Sequence, residues 1–216
     1  IAADHYGEYG INSLDDLAKA KFVLRHALYG GGQLVLNADD VTLVAMAPMM
    51  EARIAWFSMR DSAPMVVEQL RNGGNAAVLR AGHVLLHHAN VWHDLGDANA
   101  MPLTLGGAAP HNVANILGAS LLAAVSGVPI DAIRQTLQAF GASAADNAGR
   151  LQRYCYGGVT VLVDYAHNPE GLAALCKTAA SFPALRRLLV LGQAGDRDES
   201  QLRALVETAW SVTHFD

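Results

Sequence analysis

Residues 159–180 read VTVLVDYAHNPEGLAALCKTAA. An apolar run from Val159 to Val163 gives way to a polar loop, and a helical pattern follows from Glu170 to Ala180. Short apolar runs bounded by turn signals read as buried strands. The alternation recurs downstream. Leu188 to Leu191 reads as a second apolar strand, and GQAGDRDESQLRALVETAW from Gly192 reads as a loop followed by a helix. Continuous apolar strands alternating with helices predict an α/β fold with a parallel sheet covered on both faces.

Immediately upstream lies GASAADNAGR, residues 141–150, rich in Ala, Gly and Ser. The change of pattern across it predicts a domain boundary, with domains at 1–145 and 146–216. Within the first, Asp15 to Tyr29 reads as a helix N-capped by Ser13 and stopped by Gly30-Gly31-Gly32. Residues 33–40 read as a strand ending in Asn37-Ala38-Asp39-Asp40, and 52–58 as a second strand. Residues 64–74 read as a helix opened by Pro64, and 75–88 as a hairpin turning at Ala81-Gly82. Asn112 to Ser126 reads as a helix ended by Gly127. A further helix opens at Pro129 or Ile130.

A chain of 216 residues that is 52% hydrophobic and 16% charged can build a sizeable core, which argues against disorder. The net charge of −5 argues against broad binding to nucleic acid. It leaves room for a small anion held by backbone amides. Two cysteines, Cys155 and Cys176, are too few for a disulfide framework or a zinc site. Both are expected as buried small hydrophobes. No stretch is long and apolar enough to span a membrane. The start IAADHYGEYG lacks an initiator Met and any signal-peptide pattern. The expectation is a cytoplasmic fragment or processed product with an incomplete second domain. Its unfinished sheet edge favours association with another copy.

Four polar clusters lie at the ends of apolar elements, where α/β ligand sites tend to sit. Asp4-His5 is followed by Lys19 and Lys21. By spacing alone His5 is a weak metal ligand, and a polar surface residue is the plainer reading. Asn112 and Asn115 are three apart at a helix start. Their amides suit the edge of a nucleobase, and helix capping is the plain alternative. Arg150, just past the small-residue linker, can reach a phosphate or simply be solvated. Asp164 at a strand end can accept from a ribose hydroxyl or help hold a cation, and His167 can bond a phosphate. Turn chemistry around Asn168-Pro169 is the alternative there. His83, His87, His88 and His93 resemble metal ligands, but GHVLLHHANVWH reads as one strand on an exposed hairpin face rather than a site.

The order of these motifs resembles the Mur ligase family of ATP-dependent amide-forming enzymes. ADHYGEYGINSLDDLAKAK, VLNADD, HNVAN, GR, VDYAHNPEG and GDRD follow in the family's order, over almost the whole chain. The first segment is closest to the C-terminal half of the cyanophycin-synthetase branch, which joins arginine to aspartate side chains of a polypeptide. Peptidoglycan-precursor and folylpolyglutamate-type ligases are the alternative branches. A non-catalytic nucleotide-binding homologue is the alternative of another class.

The resemblance implies that residues 1–145 are the second half of the family's ATP-binding central domain. Residues 146–216 are then the first part of a Rossmann-like C-terminal domain. It implies ATP with Mg2+, an amino-acid substrate and a carboxylate acceptor. His5 matches the magnesium-ligand histidine, and Lys21 the lysine that is carbamylated in several members, with Lys19 as alternative. Asn112 and Asn115 match the adenine contacts, and Arg150 the arginine that meets the phosphates. Asp164 matches the nucleotide-contacting acid, with His167 its motif partner. The family's Gly-x-x-Gly-Lys-Thr/Ser phosphate loop is missing from this sequence. YGGGQ lacks the lysine and follows a helix, so the chain is expected not to catalyse ligation alone.

Overall fold

The computed structural model describes residues 10–192, 199–212 and 215. The chain divides into two compact units, Ile1–Phe140 and Gly141–Asp216. The fold is mixed α/β.

In the first unit a five-stranded sheet has the order β1 (Gln33–Asn37), β2 (Arg53–Ser58), β3 (Ala76–Arg80), β4 (His83–His88), β5 (Val91–Asp97). β1, β2 and β3 run parallel, and β3, β4 and β5 antiparallel. Both sheet faces are buried, which is why the central strands read as apolar runs. On one face Ala55, Ala77, Val84, Leu86 and Leu95 pack against α4 (Pro110–Val125) and α5 (Ile130–Ala139). On the other, Trp56, Ala76 and Val78 pack against α1 (Leu14–Phe22), α2 (Val41–Met46) and α3 (Pro64–Arg71). Gly118 lets α4 approach closely: a Cβ there would sit 3.0 Å from the Phe57 ring of β2.

Ser13 caps α1, its hydroxyl oxygen accepting from the Asp16 amide at 3.1 Å. The helix expected to reach Tyr29 stops at Phe22 and tightens into a 3-10 turn, Val23–Ala27. Beyond Phe22 the apolar side chains Val23 and Leu24 are exposed, so no packing holds the longer helix. The hairpin at Ala81-Gly82 forms, with both residues at positive φ, the geometry of a type I′ turn. GHVLLHHANVWH is not one strand. It folds again at Ala89-Asn90, both at positive φ, and His93 lies on β5 opposite Leu86. Nor is the histidine face wholly exposed. His87 is buried, hydrogen-bonded through Nδ1 to the Gly74 carbonyl at 2.8 Å and packed on the Trp92 ring.

The second unit differs more from expectation. β7 (Val159–Val163) pairs antiparallel with β6 (Gln152–Tyr156), and α6 (Pro169–Ser181) packs with α7 (Glu199–Val212) around Leu172, Cys176, Leu205 and Ala209. The expected parallel sheet does not form among the described residues. Leu188–Leu191 is not a strand, because it has no ladder partner there, and Leu188 and Val190 are exposed. Cys176 is buried as expected. Cys155 is exposed, because it lies on a two-stranded ribbon with an open face. Among the described residues no helix is long and apolar enough to cross a membrane.

Candidate functional site

In the second unit two loops are tied together. The Asp164 carboxylate, at the end of β7, accepts the Leu151 amide at 2.7 Å. The Tyr165 amide donates to the Gly149 carbonyl at 2.9 Å. Gly149 also donates to Gln152 Oε1 at 2.7 Å. The turn they hold is unusual, since Leu151 is buried at a φ of +48°, a conformation side chains other than Gly and Asn avoid. Asp164 therefore fixes the backbone on which Arg150 sits.

The Arg150 guanidinium lies over the Tyr165 ring, 5.5 Å from its centroid. The His167 ring lies 5.3 Å from the Tyr165 ring, tilted by 47°. His167 Nδ1 is 3.0 Å from the Tyr165 carbonyl. A carbonyl only accepts, so Nδ1 carries the proton in this contact. Asn168 then caps α6, accepting the Gly171 amide at 2.8 Å, with Pro169 in the first turn. The loop is thus turn chemistry at its end and a cationic–aromatic row, Arg150–Tyr165–His167, before it.

In the first unit the chain enters α4 through Leu105, Gly106 and Gly107, all at positive φ. The buried Thr104 hydroxyl organises this turn, within bonding distance of the Ala98 and Met101 carbonyls and accepting the Gly107 amide at 3.2 Å. Neither asparagine caps the helix; the cap position is Ala109, with no side-chain bond. Asn112 is buried and donates through Nδ2 to the Leu103 carbonyl at 2.9 Å. Asn115, exposed one turn on, donates to Asn112 Oδ1 at 3.2 Å. The inner amide is committed to the fold, and the outer one faces solvent.

His5 lies outside the described residues. Lys19 and Lys21 lie in the last turn of α1. Lys19 pairs with Asp15, and that hydrogen bond raises its pKa. Lys21 is exposed, and among the described residues no ion pair engages it. No group of three or more His, Cys, Asp or Glu is placed to hold a metal ion among the described residues.

The sequence resembles known proteins along its whole length. A cyanophycin synthetase from Nostoc sp. is 38% identical over 215 residues, covering 100% of this chain and 24% of that protein. A UDP-N-acetylmuramoyl-L-alanyl-D-glutamate--2,6-diaminopimelate ligase from Halalkalibacterium halodurans is 28% identical over 213 residues, covering 97% of this chain and 40% of that protein. A solved structure of a ligase of the latter name superposes with a TM-score of 0.51 at 19% identity, over 98% of this chain and 40% of that one. Residues 149–216 match the family model described as the Mur ligase, glutamate ligase domain.

Residues 149–216 belong to the Mur ligase family's glutamate ligase domain. The chain spans about a quarter of the length of the cyanophycin synthetases it matches. The Mur ligase domain match opens at Gly149, so the whole Arg150–Tyr165–His167 row and Asp164 fall inside it. Asn112, Asn115 and Lys21 belong to the first unit, upstream of that match. Tyr165 was not among the residues singled out from sequence. The available signal was an aromatic residue between an acid and a histidine at a strand end. The strand-end acid of VLNADD is also more engaged than its sequence shows. Asp39 accepts from the Ser58 hydroxyl at 2.8 Å and the Met59 amide at 2.7 Å, and pairs with Arg60.

Proposed function

We propose that this chain is part of an ATP-dependent acid–amino-acid ligase of the cyanophycin-synthetase type, acting in the cytoplasm and joining arginine to aspartate side chains. The observation that carries the reading is the Arg150–Tyr165–His167 row on a turn fixed by Asp164. It presents a guanidinium, suited to bidentate phosphate contact, within the segment that matches the Mur ligase domain. On this reading residues 1–145 correspond to part of the ATP-binding central domain and 146–216 to part of the C-terminal domain. Asn115 meets the adenine edge, with Asn112 behind it. Arg150 and His167 meet phosphate oxygens, and Asp164 meets the ribose or holds the turn.

Magnesium, when bound with ATP, offsets charge on the transferring phosphoryl group. His5 and Lys21 would hold it. Lys19 is already paired with Asp15 on α1, and no ion pair engages Lys21 among the described residues, so Lys21 is the lysine proposed to be carbamylated. In such a ligase the acid is activated as an acyl phosphate, and the amine then displaces phosphate.

The test is phosphate release from ATP by the protein that carries this chain. Arginine together with a poly-aspartate acceptor is expected to stimulate release, and neither alone. Stimulation by diaminopimelate with a muramoyl-peptide acceptor would move the protein to the peptidoglycan branch. No stimulation by any pair would leave a nucleotide-binding homologue without ligase activity.

A further inference from the structure

We infer that Tyr165 is a positioning residue for Arg150, holding the flat face of the guanidinium so that its in-plane N–H fork is presented to a phosphate. The inference rests on the nucleotide reading above and adds to it a residue with a defined role.

Tyr165 is 61% exposed, so core packing does not account for an aromatic side chain here. Its backbone is pinned by the hydrogen bond its amide donates to the Gly149 carbonyl, which places the ring beside the arginine turn. Its ring contacts Arg150, whose Cζ lies over it, and the ring of His167. The geometry of the contact matters. A carboxylate partner would occupy the guanidinium edge with paired hydrogen bonds. A ring occupies only the face and leaves the donor fork open.

The nearby acid does not compete. Asp164 Oδ2 is taken by the Leu151 amide, and among the described residues no carboxylate is paired with Arg150. An exposed arginine loses rotamer freedom when it captures a phosphate, and an arginine already laid on a ring loses less. Tyr165 therefore raises affinity without touching the nucleotide itself.

The experiment measures binding of a fluorescent N-methylanthraniloyl ATP to the protein that carries this chain. The set is wild type, Tyr165→Leu, Tyr165→Phe, Arg150→Ala and the double variant Arg150→Ala/Tyr165→Leu. Tyr165→Leu is expected to weaken binding about two- to fivefold, the size of an exposed cation–π contact. Tyr165→Phe, which keeps the ring, is expected to restore it. In the Arg150→Ala background, Tyr165→Leu is expected to cost nothing more, because the tyrosine acts through the arginine. Independent, multiplying losses in the double variant, or a Tyr165→Phe protein as weak as Tyr165→Leu, would overturn the positioning role and leave the nucleotide reading standing. Absence of binding by the wild type would overturn the nucleotide reading and this inference together.

Discussion

Asn112 and Asn115 stand one turn apart, yet their surroundings assign them different consequences. Asn112 is buried and its amide satisfies the Leu103 carbonyl, so Asn112→Ala leaves that acceptor unpaired. The expected loss is about 1–3 kcal/mol of stability, read from urea unfolding. Asn115→Ala, at an exposed position, is expected to stay within about 0.5 kcal/mol of wild type while weakening nucleotide binding. The two thiols separate in the same way. Burial pushes the Cys176 thiol up from its ordinary pKa, whereas Cys155 is exposed on β6. A thiol reagent at neutral pH is therefore expected to label Cys155 rapidly and Cys176 only on unfolding.

The charge on Asp94 has a pH signature too. The hydrogen bond from His83, 2.9 Å away, holds its carboxyl below the ordinary value. A group lowered in the folded state stabilises the fold above the unfolded pKa, about 3.9 for Asp, and loses that contribution as pH falls through the lower folded value. Both side chains are about half exposed, so the effect is small. Asp94→Asn is expected to remove it, flattening the stability profile below about pH 4.

At the scale of elements, the close approach of α4 to β2 depends on Gly118. A valine there would place its Cβ 3.0 Å from the Phe57 ring and add two methyl groups beyond it. Gly118→Val is expected to cost about 1–3 kcal/mol, as overpacking does, seen as a lower midpoint in thermal unfolding. The elements themselves were largely legible in the sequence. The apolar runs of β1, β2 and β7, the proline opening α3 and the glycine closing α4 each carry a local physical cause. Three features were not. The turn at Ala89-Asn90 lacks glycine, so β4 and β5 read as one strand. Cys155 between two tyrosines is a strand-like position, but the antiparallel pairing of β6 with β7 was not legible, although Gly157-Gly158, both at positive φ, mark the hairpin turn. Leu188–Leu191 has the composition of a strand and none of the pairing, and pairing is a tertiary property that composition does not carry. Of the candidate site, Asp164 and Arg150 could be picked out from sequence singly. Their link through Leu151 could not, because it depends on a backbone amide in a left-handed residue.

The whole molecule is uneven in how its units are held. The first carries buried clusters on both faces of a five-stranded sheet. The second is built on one small cluster, with Leu172, Cys176, Leu205 and Ala209 at its centre, and a two-stranded ribbon. One face of that ribbon presents Tyr154, Tyr156, Val159, Val161 and Val163 to solvent. Isolated two-stranded ribbons are marginal in water, and local stability tracks buried apolar contact. The amides of β6 and β7 are therefore expected to exchange with solvent deuterium well before those of β1 to β5 in this 216-residue chain. Hydrogen-exchange mass spectrometry resolves the two sets directly. Equal protection would mean that the open ribbon face is covered in solution. Earlier exchange in the second unit would place Arg150, Tyr165 and Asp164 on the less stable part of the molecule, where binding an anion gains most from a turn already fixed by its own carboxylate.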